Sequence, residues 1–134
     1  MTKIITYFFI HRRLSFFFAI IWTILILIGC SLPGKDLPAI TLFDHFDKVV
    51  HFTFFCFFYF FWYAGTKPFE NKSFILILIS FALGFAIEFY QINFVVGRSF
   101  DIWDGVADTF GAWVASFIMK KWGLEKFHEF DSFT

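Results

Sequence analysis

The sequence predicts an all-α membrane bundle of four transmembrane helices, forming a single domain over residues 1–134. Three observations predict it. Hydrophobic residues make up 59% of the chain and charged ones 16%, against about 25% charged in an ordinary soluble domain. The apolar residues gather in four long runs without apolar–polar alternation, which favours helices over barrel strands. All three prolines, Pro33, Pro38 and Pro68, fall between the runs, where a residue that removes a helix hydrogen bond does no damage. A soluble chain of 134 residues has too small a core to hide 26 Phe, so lipid is the expected solvent.

Crossing hydrocarbon takes about 20 residues at 1.5 Å rise each. The first helix is expected over residues 14–32, after Arg12-Arg13 and before Pro33-Gly34. The second is expected over residues 47–64. Its apolar part begins only at Val49, so it reaches spanning length by drawing the Asp47-Lys48 turn into the helix. The third is expected over residues 74–96 and carries Glu88, Gln91 and Asn93 near its end. The fourth is expected over residues 102–119 and stops at Lys120-Lys121.

Lysines and arginines set the expected orientation. Lys3, Arg12 and Arg13, then Lys67 and Lys72, then Lys120, Lys121 and Lys126 fall on one side; only Lys35, Lys48 and Arg98 fall on the other. Both termini are therefore expected in the cytoplasm, with the protein in the cytoplasmic membrane. A competing reading takes Leu27-Ile28-Gly29-Cys30 as a lipoprotein processing site; a long run before small residues is equally what an ordinary first helix looks like. Cys30 and Cys56 read as small apolar packing residues. Zero net charge leaves no basic face for nucleic acid.

Within this topology the polar residues converge. Ionisable groups in hydrocarbon are costly and persist when they pair or work. Asp47, Lys48 and His51 occupy the outer turn of the second helix, and i, i+3 and i+4 share a face. Glu88 and Gln91 lie on the outer third of the third helix, with Ser80 and Gly84 continuing that stripe inward. Asp101, Asp104, Asp108, Gly111 and Ala115 run down one face of the fourth, and Ala107, Gly111 and Ala115 form a small-residue ladder that lets helices approach closely. Gly97-Arg98 lies in the turn between them. Arg98 and Lys48 are the expected partners of Glu88, Asp104 or Asp108. The plain alternative is that these groups only lock the bundle, since polar side chains between membrane helices serve as glue. Asp101 also reads as a helix N-cap. Asp36, Asp44 and His45 read as a solvated loop, and Glu125, Glu129 and Asp131 as a solvated tail.

Several of these pieces carry a resemblance. Ser31-Leu32-Pro33-Gly34, Phe46-Asp47-Lys48-Val49-Val50-His51-Phe52, Glu88-Phe89-Tyr90-Gln91, and Gly97-Arg98-Ser99-Phe100-Asp101-Ile102-Trp103-Asp104 with Asp108-Thr109-Phe110-Gly111 stand in order over residues 31–111. In this the chain resembles the VanZ-like family of small bacterial integral membrane proteins. It departs from the family's pattern at Asp108, where Asn is frequent. The resemblance implies a multi-pass membrane protein of the cell envelope and a link to tolerance of teicoplanin-type glycopeptides.

Three functions fit these residues. The favoured one is an accessory envelope protein whose outward polar site binds membrane lipid, or a lipid-linked or cell-wall-related ligand. Arg98, Lys48 and His51 would contact phosphate or carboxylate there, Arg being suited to bidentate contact. The second is an intramembrane enzyme using His51 with Glu88 or Asp104 as acid and base, or as ligands of a divalent metal. The third, proton passage, has few polar groups to continue it inward: Thr53, Tyr59, Ser80 and Ser116. No HExxH, GxSxG or Cys/His metal spacing is present, and no cofactor is expected.

Overall fold

A long apolar run must close its own backbone hydrogen bonds where the surroundings offer none, and a helix is the local way to do so. The computed structural model describes residues 7–33 and 46–121, and this part is all helix and turn. We label the long helices α1 (Arg12–Ser31), α2 (Phe46–Gly65), α3 (Lys72–Phe94) and α4 (Ile102–Lys121). Their ends lie within two residues of the expected ones. The second helix does take in Asp47 and Lys48, which gives it 20 residues. A short helical turn over residues 7–10 precedes α1. The loop residues Asp36, Asp44 and His45 and the tail acids Glu125, Glu129 and Asp131 lie outside the described residues.

Each helix ends for a visible reason. Leu32 leaves α1 in extended backbone, and Pro33 follows, which cannot continue the ladder. The α2–α3 connection turns through Asn71 at φ 55°. Lys72 then reaches back and donates to the carbonyls of Tyr63 at 2.6 Å and Thr66 at 2.9 Å. A cation there meets the negative end of the α2 dipole. After α3 the chain turns at Gly97, whose φ of 77° favours glycine. Asp101 opens α4 by accepting from the Trp103 N–H at 2.9 Å, the expected N-cap.

The helices run up and down. Ser15 and Phe16 of α1 meet Gly65 at the end of α2, Lys48 near the start of α2 meets Asp101 and Asp104 at the start of α4, and Gln91 near the end of α3 donates to the Cys30 carbonyl near the end of α1. α2 and α3 each touch all other helices, whereas α1 and α4 flank them without contact among the described residues. Two apolar clusters fill the interior. One joins Phe9, Tyr59, Tyr63, Leu76, Ala112, Ala115 and Met119; the other joins Ile26, Cys30, Phe55, Phe58 and Ile87. Cys30 is a free thiol packed in the second cluster, the small packing residue expected.

The outside is as apolar as the inside. Ile24, Leu25 and Ile28 on α1, Phe74, Leu78 and Phe89 on α3, and Trp103, Phe110, Trp113 and Phe117 on α4 all face outward. Such a continuous apolar surface marks contact with lipid or another protein. α1 and α3 are each long and apolar enough to cross a membrane. Only 22% and 28% of their apolar windows are buried in the bundle, whereas the core helix of a soluble protein is mostly buried. α2 and α4 carry most of the charged residues described below.

Gly111 fixes how near α2 and α4 can come. A Cβ there would overlap the Phe52 carbonyl oxygen and stand 3.2 Å from the Cys56 nitrogen. The close approach also lets the Cys56 thiol donate to the Gly111 carbonyl at 3.0 Å. Gly111→Leu should force the two helices apart and lower the thermal midpoint, with overpacking costing about 1–3 kcal/mol or more. Gly29→Ala is the control, because a Cβ there meets Phe54 at an ordinary 3.9 Å. Equal midpoints for Gly111→Leu and Gly29→Ala in purified protein would refute the contact.

Candidate functional site

The site is built where α2 and α4 begin and α3 ends. Helical spacing places Asp47, Lys48 and His51 on one face of α2, and Asp101, Asp104 and Asp108 on the facing side of α4. Lys48 joins them. Its ammonium carries three N–H donors, and the structure gives each a different carboxylate: Asp101 at 2.6 Å, Asp104 at 2.8 Å and Asp47 at 3.0 Å. Asp47 is the exposed member and touches the cluster only through Lys48. Asp104 is 6% exposed.

His51 lies one turn deeper and is 7% exposed. Its Nδ1 stands 3.1 Å from an Asp108 oxygen. A carboxylate accepts, so Nδ1 carries the hydrogen, and the Nε2 of the neutral ring keeps its lone pair. That lone pair faces Asp104, whose Oδ2 is 3.9 Å away, beyond a hydrogen bond. Asp108 is fully buried. It fits because α3 has no side chain opposite: a Cβ on Gly84 would lie 2.7 Å from Asp108 Oδ2.

Glu88 enters from α3 with no exposed surface. One oxygen accepts from the Asp101 backbone N–H at 2.9 Å. The other, Oε1, is buried without a hydrogen-bond partner, as is Asp108 Oδ2. His51, Glu88 and Asp104 each offer one ligand-type atom, and these atoms lie within 4.8 Å of one another. A second group, Asp47, Asp101 and Asp104, is equally close-set.

Eight of the nine candidate residues thus fall into place by contact with their neighbours. Asp47, Lys48, His51, Glu88, Asp101, Asp104 and Asp108 form one connected cluster. Gln91 does not join it; buried at 2% exposure, it donates to the Cys30 carbonyl at 2.9 Å and ties α3 to α1. Arg98 departs from expectation. It makes no ion pair with a carboxylate among the described residues, and its Nε is buried without a partner. The physical reason is competition. Lys48 already holds Asp101 and Asp104, His51 holds Asp108, and the Asp101 N–H holds Glu88. Asp108 accepts from an imidazole N–H, which an amide oxygen would also do, so Asn can stand at this position without loss of that bond.

The sequence reading did not anticipate Lys72 as a buried cap, nor Ser73. Tyr59, Ser73 and Ser116 form a hydroxyl chain at 2.7 Å and 2.9 Å across α2, α3 and α4. Ser73 is the residue after Lys72, one helical turn N-terminal to Ile77, and only its place beside Ser116 reveals it. Ser80 donates to its own helix at Leu76.

With this geometry in view, comparison with known proteins is decisive for the family. The VanZ/LLP1 family model matches residues 9–123. The chain belongs to the VanZ/LLP1 family. That match takes in all four helices and every residue of the cluster. No curated protein and no solved structure matches the chain.

Lys48 is therefore the counter-ion of this site. Lys48→Ala should leave the buried Asp104 without the ammonium it meets at 2.8 Å and lower stability by about 1–3 kcal/mol, the scale of hydrogen bonds to charged groups. Adding Asp101→Asn and Asp104→Asn should recover part of that loss, because an unpaired charge costs more than a missing pair. Thermal midpoints of the single and triple variants read this directly. A triple variant less stable than Lys48→Ala would overturn the pairing.

Proposed function

We propose that this VanZ/LLP1 protein is an intramembrane enzyme acting on a phosphate-bearing, lipid-linked substrate of the cell envelope. The observation that carries the reading is the set His51, Glu88 and Asp104: buried, drawn from three helices, with ligand-type atoms within 4.8 Å of one another. Glue between helices satisfies its members, and buried polar atoms are nearly always paired. Here Glu88 Oε1 and Asp108 Oδ2 are not.

The roles follow from the geometry. Asp108 holds the His51 ring through Nδ1, so that Nε2 is the atom offered to a reacting group. His51 then acts on a water or hydroxyl proton, with Glu88 or Asp104 as the complementary acid or ligand. Arg98 has no carboxylate partner among the described residues and sits in the turn above α3, which suits it to a substrate phosphate in bidentate contact. Lys48, with all three donors engaged, is not free for that role. A groove of about 400 Å³ lined by Lys48, Trp103, Val106, Ala107 and Phe110 opens beside the site along α4. Its apolar walls suit an acyl or prenyl chain.

In this reading all four helices span the membrane, both termini are cytoplasmic, and the site faces outward. The lysine and arginine distribution supports that orientation. Reporter fusions after Thr66 and after Met119 should both read cytoplasmic, and one at Asp36 external. An external tail would move the site to the inner face.

The enzyme reading is tested by mass spectrometry of membrane lipids from cells expressing the wild type or a variant at equal membrane levels. Wild type should shift the level of at least one phosphate-bearing lipid species. His51→Ala and Glu88→Gln should abolish the shift, since losing an acid–base group costs roughly 100-fold or more. Arg98→Ala should weaken it less, mainly at low substrate. An accessory protein would leave all lipid species unchanged while still altering teicoplanin tolerance, and that outcome sinks the enzyme reading.

A further inference from the structure

We infer that His51, Glu88 and Asp104 bind one divalent transition-metal ion, with Asp108 as the positioning residue that aims His51 at it. The role of the ion in a reaction rests on the enzyme reading above; its binding rests on the geometry alone.

Four observations converge on it. The first is spacing. His51 Nε2 and Asp104 Oδ2 are 3.9 Å apart, too far for a hydrogen bond. It lies within the reach of two ligands on one ion, whose donor atoms can stand up to about 4.4 Å apart when each bond is about 2.0–2.2 Å. The second is the orphaned atom. Glu88 has no exposed surface and its Oε1 has no partner, so a carboxylate oxygen has been desolvated with nothing to receive it. A cation supplies what is missing. The third is the back of the histidine. Metal-bound imidazoles donate their other N–H to a carboxylate or carbonyl, which fixes the ring and its tautomer. The His51 Nδ1 to Asp108 contact, 3.1 Å and buried, has that form.

The fourth is charge. Glu88, Asp104 and Asp108 are all buried, and among the described residues only Asp104 meets an ammonium, that of Lys48. Buried negative charge in such excess calls for a further cation. The same reasoning rejects the other close-set group. Asp47, Asp101 and Asp104 already surround the Lys48 ammonium at 2.6–3.0 Å, so a cation fills that position. The inner set of His51, Glu88 and Asp104 is the one left to take an ion.

The donor set narrows the ion. One imidazole and two carboxylates suit Zn²⁺, Mn²⁺ or Fe²⁺. Ca²⁺ asks for six or more oxygens and Mg²⁺ for near-octahedral oxygens. Three protein ligands leave a coordination position for water or a substrate oxygen. An ion so held polarises phosphoryl or carbonyl oxygen and makes hydroxide available near neutral pH.

The test uses the full chain in detergent or nanodiscs, with any affinity tag removed. The protein is stripped with EDTA, dialysed against Zn²⁺, and bound metal is measured by plasma mass spectrometry; Co²⁺ loading is read by visible absorption. One ion per chain is expected, with a Co²⁺ spectrum of nitrogen and oxygen ligands. His51→Ala, Glu88→Gln and Asp104→Asn should each weaken binding at least tenfold. Asp108→Ala should weaken it about 10–100-fold, as loss of such outer partners does, and Asp108→Asn should restore most of it. Asp47→Asn should leave binding in place, which separates the inner set from the rim. Circular dichroism confirms that each variant is folded, and Asp108→Asn keeps the test open if the alanine variants are not. Absence of stoichiometric metal in the wild type overturns the inference, as does binding that survives His51→Ala with Glu88→Gln. Lipid turnover that persists after metal removal would overturn the ion and leave the enzyme. Stoichiometric metal with no lipid change would overturn the enzyme and leave the ion.

Discussion

The Lys48 ammonium is the interaction on which this end of the molecule depends. Three carboxylates, Glu88, Asp104 and Asp108, are buried in a bundle whose outer surface is apolar, and ionised groups in such surroundings are costly without compensation. Lys48 spends all three of its donors on acids from α2 and α4, so one cation both neutralises charge and fixes the register of two parallel helices. The rest follows from that register. It sets Gly111 against the Phe52 carbonyl, brings Asp108 beneath His51, and presents the Asp101 N–H to Glu88 of α3. Asp101 does double duty here, capping α4 through one oxygen and receiving Lys48 on the other.

Much of this was legible in the sequence because helical periodicity is local. Lipid-length runs, bounded by proline and glycine, placed four helices to within two residues. The spacing of Asp104, Asp108, Gly111 and Ala115 gave the buried face of α4, and Ser80, Gly84 and Glu88 gave that of α3. The convergence of His51, Glu88 and Asp104 also followed, since each lies near the same end of its helix. The choice of counter-ion did not. Arg98 and Lys48 were equivalent by depth, and only the facing of α2 and α4 gives the acids to Lys48. Arg98, carried past them by the turn at Gly97, is left over. Lys72 was legible as a lysine at a helix boundary. Its burial against Tyr63 depends on how sharply the chain turns at Asn71, and that is a tertiary fact.

Small residues serve two distinct ends in this fold. At Gly111 the missing side chain lets two backbones touch, and the Cys56 thiol takes up a carbonyl there that no water would reach. At Gly84 the missing side chain makes room for a carboxylate, with Asp108 Oδ2 where a Cβ would crowd it. The first is close packing of two helices, which a small residue at the contact permits. The second is a recess for charge. A residue larger than glycine at position 84 would push Asp108 away from His51, so a glycine on α3 controls a histidine on α2 that it does not touch.

The two ends of the bundle bury different groups: Lys72 and hydroxyls where α2 stops, and the carboxylates Glu88, Asp104 and Asp108 where it starts. At the end where α2 stops, Lys72 is held by two carbonyls, and Tyr59, Ser73 and Ser116 complete one another's hydrogen bonds. Those contacts join three helices, as glue should. At the opposite end the joining is already accomplished by Lys48, by Gln91 on the Cys30 carbonyl, and by Glu88 on the Asp101 N–H. Yet Glu88 Oε1, Asp108 Oδ2 and Arg98 Nε remain buried and unmet. An unmet buried polar atom costs about 1–3 kcal/mol, more when charged. A cluster that served only to hold helices together could use glutamine at position 88, whose amide oxygen would still accept from the Asp101 N–H without a desolvated charge. Keeping a desolvated carboxylate beside an oriented imidazole makes physical sense when something else, an ion or a substrate, completes the set.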